Sequence, residues 1–148
     1  WEALAAVHYR ETVALKPGAR ALLEQYRAYH QTMALFTACR PALCRIVLER
    51  FSLAEFFSHV VYAEEIGLEK HDPACFVRLG ELLGVCPEQC VLLDDSPSNC
   101  AAARRSGMTT VGVFDPFYAD RQEELKSVST RYVRSLEELL EGVPPDRK

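Results

Sequence analysis

Residues 91–99 read VLLDDSPSN and carry the most specific fold signal in the sequence. This stretch opens with a continuous apolar run, which is typical of a strand buried on both faces of a parallel sheet. Two aspartates end that run, and Ser96 followed by Pro97 has the form of a helix N-cap with proline in the first turn. The helix is expected to end at Gly107, so this stretch predicts a strand joined directly to a helix.

The same alternation of strands and helices extends in both directions along the chain. Helices are predicted to begin near Pro17, Pro41 and Pro73, and residues 52–55 (SLAE) have the form of a capping box that starts a short helix. The other predicted strands cover residues 32–37, 59–62, 109–114 and 131–133, and a closing helix covers 136–140. This pattern predicts an α/β fold, a Rossmann-like three-layer arrangement in which a parallel sheet carries helices on both faces.

Length, charge and composition limit the classes of protein to which the chain can belong. The sequence has 148 residues, 49% of them hydrophobic and 26% charged, with a net charge of −4, which is typical of a globular domain. Scattered basic residues argue against nucleic-acid binding, and no apolar run reaches the roughly 20 residues that a membrane-spanning helix needs. The first residue is Trp1 rather than methionine, so we expect a processed or truncated N-terminus.

The six cysteines are predicted to be free thiols rather than disulfides or zinc ligands. The closest pair, Cys86 and Cys90, lacks the C-x-x-C or paired histidine elements of a zinc site. No signal peptide opens the sequence, and a chain of this length can build a core without cross-links. A reducing, cytoplasmic location is the simplest expectation.

Polar residues that follow the predicted strands are the candidate site residues, because ligands of open α/β sheets bind at the carboxyl ends of the strands. Thr37 follows one strand, Asp94 and Asp95 follow another, and Lys70 lies in a polar loop between them. A hydroxyl and an ammonium suit phosphate oxygens, and two carboxylates suit Mg²⁺. Further residues expected to line this edge are Ser96, Asn99 and Ala38.

Each candidate also has a purely structural interpretation. Threonine often ends a strand, a loop lysine is usually solvated, and Asp72 before Pro73 is expected to cap a helix. The adjacent aspartates are the strongest signal, because two like charges after a buried strand repel each other unless a cation or hydrogen-bond donors offset them. Asp94 and Asp95 therefore carry more functional weight than Thr37.

In their order along the chain, these pieces resemble the motifs of the haloacid-dehalogenase-like hydrolases, the HAD superfamily. Residues 15–18 (LKPG) resemble the segment in which the chain re-enters the core from a helical cap. Residues 33–37 (MALFT) resemble the second motif and residues 70–73 (KHDP) the third. The fourth motif is resembled by residues 91–99 (VLLDDSPSN), followed by 101–102 (AA) and 106–108 (SGM). The fourth motif is the most specific. The resemblance covers about residues 13–140.

The resemblance implies a Mg²⁺-dependent hydrolysis of small phosphate esters, in which an aspartate nucleophile forms an aspartyl-phosphate. By motif position, Thr37 would bind the phosphoryl oxygens and Lys70 would stabilise charge on nucleophile and phosphate. Asp95, with Asp94, would hold Mg²⁺ directly or through water. Asn99 stands where many members carry an acidic residue, which leaves less negative charge at the metal. The cap sets specificity in this family, so sugar phosphates, nucleotides and small phospho-acids are all candidate substrates.

The family's first motif, an Asp-x-Asp after a central strand, does not occur in the sequence. In the family this strand lies between the strands that here end at Thr37 and Asp94. We therefore expect the nucleophile strand to lie outside the chain, and the chain alone to be inactive. On this interpretation residues 1–14 are a remnant of the cap, 15–141 are the core domain and 142–148 are a tail.

Two alternative functions remain open at this point. In one, the chain is a non-catalytic HAD-like binding or scaffold module, and in the other it belongs to a metal-independent haloacid dehalogenase. The carboxylate pair and the threonine favour a phosphatase over a dehalogenase.

Overall fold

The structure, a computed structural model, describes residues 2–140. The helices are α1 (Glu2–Glu11), α2 (Ala19–Ala28), α3 (Pro41–Arg50), α4 (Ala63–Ile66), α5 (Pro73–Leu83), α6 (Pro97–Ser106) and α7 (Gln122–Val128). The strands are β1 (Ala34–Thr37), β2 (His59–Tyr62), β3 (Val91–Asp94), β4 (Thr109–Val113) and β5 (Arg131–Val133). Short 3₁₀ helices cover Ala54–Phe56, Pro87–Gln89, Pro116–Arg121 and Leu136–Leu139. All the predicted strands are present.

The strands form two parallel sheets, in which β1 pairs with β2 and β4 lies between β3 and β5. The register aligns Thr37 with Tyr62 in the first sheet and Asp94 with Gly112 in the second. Within residues 2–140, β1 and β3 therefore each pair along one side only. The carboxyl ends of these two strands carry the predicted site residues.

Helices cover both faces of the sheets. Neighbouring residues of a strand point to opposite faces, so consecutive apolar residues make both faces apolar. Phe36 of β1 and Leu92 of β3 pack against the same core cluster, which lies under α5 and α6. Leu35 and Leu93, each one residue away, pack on the other face against residues of α3 and α2 respectively. The cluster that both sheets share consists of Val61, Phe76, Leu79, Ala102, Ala103 and Met108. The predicted α/β fold with helices on both faces is confirmed.

Two helices begin at the caps that the sequence predicts. The Asp72 carboxylate accepts a hydrogen bond from the Ala74 N–H at 2.9 Å and caps α5. The Ser96 hydroxyl accepts one from the Asn99 N–H at 3.4 Å at the start of α6. Asp72 is thus a helix cap, as expected, and Ser96 directs α6 away from the end of β3.

The predicted capping box at residues 52–55 is wrong. The N-cap of the 3₁₀ helix is Leu53, which makes no side-chain cap hydrogen bond, and Ser52 has φ +52°. The Ser52 N–H bonds to the carbonyl of Glu49. Ser52 therefore belongs to the turn that ends α3, and the end of that helix determines its conformation.

Residues 115–130, to which the sequence pattern assigns no element, form the 3₁₀ helix Pro116–Arg121 and α7. Leu125 of α7 is fully buried, and a Cβ at Gly112 of β4 would lie 2.8 Å from Leu125 Cγ. Helix α7 thus packs closely on β4. The predicted closing helix is the 3₁₀ helix Leu136–Leu139, which is capped by Ser135.

The predicted tail at 142–148 lies outside the described residues. Between residues 2 and 140, no helix has the length and apolar character needed to span a bilayer.

Gly18, at the start of α2, has a left-handed backbone with φ +83°. A Cβ there would lie 2.8 Å from Glu137 Cγ and 2.9 Å from Glu137 N, so the backbone itself would have to move. Gly18→Ala is therefore expected to lower the free energy of unfolding by about 2–4 kcal/mol. Gly67→Ala is the matched control, since Gly67 has φ +72° but no atom within 4 Å of its Cβ position. The control is expected to cost about 1–2 kcal/mol. Equal free energies from urea denaturation would contradict close packing at Gly18.

Candidate active site

Lys70 brings the carboxyl ends of β1 and β3 together. Its Nζ lies 3.1 Å from Asp94 Oδ2 and 5.0 Å from the centroid of the Phe36 ring. The Lys70 and Asp94 side chains are only 14% and 10% exposed. Ion pairs with this little solvent contact are screened weakly. Asp94 therefore holds the Lys70 ammonium at a fixed place between the two strand ends.

Asp94 organises the start of α6. Its Oδ1 accepts hydrogen bonds from the Ser96 N–H at 2.8 Å and from Asn99 Nδ2 at 3.4 Å, while Oδ2 faces Lys70. Both carboxylate oxygens therefore have donors. Asn99, predicted as a possible lining residue, contacts the acidic pair through Asp94.

Asp95 has a different environment, although it is the next residue. It is half-buried, and burial raises the pKa of its carboxyl above the ordinary value. The nearby carboxylates of Asp94 and Asp115 raise this pKa further, and the Lys16 ammonium partly offsets them. A half-buried carboxylate with like charges on two sides favours the approach of a cation.

Thr37 is held within its own turn. Its Oγ1 accepts a hydrogen bond from the Cys39 N–H at 3.0 Å. Thr37 directly follows Phe36, whose ring lies next to the Lys70 ammonium. Ala38, between Thr37 and Cys39, is exposed. The structure thus joins Lys70, Asp94, Ser96 and Asn99 through direct contacts, and it places Thr37 and Ala38 at the neighbouring strand end.

The fit of a metal ion can be tested on the donor set. Residues 2–140 contain no group of three or more His, Cys, Asp or Glu side chains arranged to hold a metal. Mg²⁺ does not need such a cage, because it usually keeps several waters and binds one or two carboxylates together with substrate phosphate. Asp95, with Asp94 beside it, therefore suits Mg²⁺ and does not suit a structural zinc ion.

The thiol nearest this acidic pair is unsuited to nucleophilic chemistry. Cys100 is fully buried on α6, and its Sγ donates to the carbonyl of Asp94 at 3.6 Å. Burial, followed by the charge of Asp94, raises the pKa of Cys100 to about 12. Such a thiol stays protonated, and it is an inert part of the core.

Two charged residues at this edge were missed by the sequence reasoning. Asp115 follows β4 by two residues, and its carboxylate forms an ion pair with Lys16. Asp115 could have been found by the criterion that identified Asp94, namely a polar residue just after a strand. Lys16 carries no such signal, because it precedes a helix and is far from Asp115 in the chain.

Comparison with known proteins places this chain among hydrolases. The haloacid dehalogenase-like hydrolase family model matches residues 2–107. Fructose-1-phosphate phosphatase YqaB of Escherichia coli (strain K12) is 31% identical over 94 residues, which are 62% of the chain and 50% of that protein. Phosphoglycolate phosphatase of Pseudomonas putida is 28% identical over 132 residues, which are 89% of the chain and 48% of that protein. The chain thus spans about half the length of these curated relatives.

A solved structure shows the same fold. It is the crystal structure of a predicted phosphoglycolate phosphatase from Haemophilus somnus 129pt, with a TM-score of 0.80, covering 94% of this chain and 61% of that one. At 19% identity this likeness concerns the fold alone. The family match covers well over half of the chain and includes the strand ends that carry Thr37 and the two aspartates, together with the loop that carries Lys70. The chain belongs to the haloacid dehalogenase-like hydrolases.

Proposed function

We propose that the chain forms most of the core of a Mg²⁺-dependent phosphohydrolase that acts on small phosphorylated metabolites. The observation that carries this proposal is the contact of Lys70 with Asp94 beside the half-buried Asp95. A fixed ammonium next to a carboxylate that favours a cation suits the binding of a phosphate ester with its metal. Two curated relatives are phosphatases by name, which supports the same reaction class.

Each site residue has a proposed role that follows from its position. Lys70 stabilises charge on the nucleophile and the phosphoryl group, and Asp94 and the Phe36 ring hold its ammonium in place. Thr37 binds phosphoryl oxygens at the end of β1. Asp95 holds Mg²⁺, with Asp94 assisting directly or through water. When bound, the ion would neutralise part of the charge on the phosphate.

The nucleophile is proposed to be an aspartate on a strand that precedes this chain and inserts between β1 and β3, where it would form an aspartyl-phosphate. Residues 35–36 of β1 and 92–93 of β3 are only half-buried, whereas residues 110–113 of β4 are buried. Within residues 2–140, β1 and β3 also pair along one side only. An unpaired apolar strand edge favours the addition of another strand.

Residues 1–14 are proposed to be the last part of a cap and residues 15–141 the core domain. Helix α1 supports this assignment, because it lies beside the loop that follows Thr37. Cys39 Sγ donates to Tyr9 Oη at 3.8 Å, and Arg50 Nη1 donates to the carbonyl of Tyr9 at 3.3 Å. A cap attached through α1 would therefore stand next to the phosphate-binding turn.

The proposed setting of the reaction is the cytoplasm, with a small-molecule phosphate ester as the partner. All six cysteines are free thiols in the structure, and three of them are buried. Free thiols persist in a reducing compartment, which supports this location.

The test is hydrolysis of a generic aryl phosphate by the full-length native protein, with Mg²⁺ and with excess EDTA. We expect turnover that requires Mg²⁺ and returns when the ion is restored. Equal rates with EDTA would contradict the metal dependence. Halide release from a 2-haloacid without phosphatase activity would favour a dehalogenase, and the absence of both activities would favour a non-catalytic binding module.

A further inference from the structure

The Lys16–Asp115 ion pair lies at the same sheet edge as the acidic pair, and neither of its residues is among the predicted site residues. Asp115 lies two residues after the end of β4. This strand pairs directly with β3 and aligns Gly112 with Asp94. Adjacent strands are about 4.8 Å apart, so Asp95 and Asp115 project from neighbouring strand ends.

Asp115 is fixed by contacts to both of its oxygens. Oδ1 accepts a hydrogen bond from the Phe117 N–H at 2.8 Å, which caps the following 3₁₀ helix, and Oδ2 pairs with Lys16 Nζ. The same ammonium lies 3.5 Å from the carbonyl of Phe114. The end of β4 therefore holds the charge of Lys16 at a defined place.

The backbone that carries Lys16 is restricted as well. Two residues later, Gly18 packs so closely on Glu137 that even a methyl group there would meet its backbone N at 2.9 Å. The segment thus lies between β4 and the last 3₁₀ helix, and the Lys16 and Asp115 side chains are 38% and 24% exposed. A partly buried charge pair of this kind acts on its neighbours more strongly than a solvated pair does.

Asp95 lies near both members of this pair. Asp94 is aligned with Gly112 of β4, so Asp95 and Asp115 follow the ends of two directly paired strands, and Asp95 experiences the negative charge of Asp115 and the positive charge of Lys16. The acidic residue is therefore flanked by two Lys–Asp pairs, Lys70–Asp94 along its own strand end and Lys16–Asp115 at the next. In the second pair, the Asp115 carboxylate binds the Lys16 ammonium, the cation that acts on Asp95.

We propose that Lys16 and Asp115 are positioning residues that set the affinity of Asp95 for a divalent cation. Asp115 retains the Lys16 ammonium at the end of β4, which keeps Asp95 available to the ion. Without Asp115, the ammonium is free to pair with Asp95 and competes with the cation. Without Lys16, Asp115 adds an unbalanced negative charge and strengthens cation binding. This inference rests on the cation site of the proposed function.

The test is the dissociation constant of Mg²⁺ alone, measured by isothermal titration calorimetry at low ionic strength on the full-length protein. Asp115→Asn is expected to weaken binding about threefold or more and Lys16→Met to tighten it by a similar factor, as charges several ångströms away act at an effective protein dielectric. The double variant removes one charge of each sign, so its affinity is expected to return close to that of the wild type. Both shifts should shrink as salt is added.

Each outcome bears on a different claim. A merely structural role predicts that both single variants weaken binding, because both break the same ion pair. Shifts of the same sign, or no shift, in a wild-type protein that binds Mg²⁺ would overturn this inference and leave the proposed function intact. A wild-type protein that binds no Mg²⁺ would overturn the cation site of the proposed function and this inference with it.

Discussion

Lys70→Met in the full-length protein is expected to lower kcat for aryl phosphate hydrolysis by about 10²–10³-fold or more, because it removes the fixed charge that we propose stabilises the transferring phosphoryl group. Methionine retains an aliphatic side chain that can stay on the Phe36 ring, where the lysine Nζ lies 5.0 Å from the centroid. The loss is therefore assigned to the ammonium and not to packing. Steady-state kinetics with saturating Mg²⁺ measures it.

The stability of the same variant separates the proposed catalytic role of Lys70 from its contribution to the fold. Removing the ammonium leaves the Asp94 side chain, only 10% exposed, without its cation. The free energy of unfolding is expected to fall by about 3 kcal/mol. Adding Asp94→Asn removes the unbalanced charge, so the double variant is expected to regain most of the stability and none of the activity. Recovered turnover in the double variant would make Lys70 a structural residue.

A matched control for Lys70 is available on α7. Lys126 also forms an ion pair, with Glu123 at 2.9 Å, but both side chains are exposed. Lys126→Met is expected to change stability by less than about 1 kcal/mol and to leave turnover at the wild-type rate.

Asp95→Asn is expected to abolish Mg²⁺-stimulated hydrolysis while leaving the metal-free protein as stable as the wild type, or more stable by up to about 1 kcal/mol. The carboxylate is half-buried, and the charges of Asp94 and Asp115 oppose its ionisation. The amide has nearly the same shape without that charge, so the variant loses the proposed cation ligand and a source of repulsion together. Urea denaturation in EDTA and Mg²⁺ titration of turnover measure the two effects.

Asp95→Asn is thus expected to lose Mg²⁺ stimulation without losing stability, and two outcomes would contradict this. Wild-type Mg²⁺ stimulation in Asp95→Asn would remove Asp95 from the metal site. A loss of several kcal/mol of stability would show that its carboxylate makes contacts on which the fold depends. Asp120→Asn is the matched control, because Asp120 is an exposed aspartate on the 3₁₀ helix after β4 and is expected to change neither property.

Much of the fold is predictable because apolar runs and helix caps depend on residues that are close together in the chain. The apolar run of β3, the Ser96 cap and the Asp72 cap each depend on neighbours within four positions, and the structure has all of them. Ser52 shows the limit of such patterns. A residue that could begin one helix instead lies in the turn that ends the preceding one, and the packing of the longer helix decides between the two.

Local sequence patterns predict the α/β alternation, the family motifs and the strand ends at which Thr37, Asp94 and Asp95 stand. The difference between the two adjacent aspartates arises from packing: Asp94 is bound to Lys70 and to the start of α6, whereas Asp95 is half-buried beside like charges. Packing also brings Lys16 to Asp115, which lies 99 residues away in the chain. A local pattern specifies where a strand ends, but the charges around that end come from the strands and segments that pack beside it.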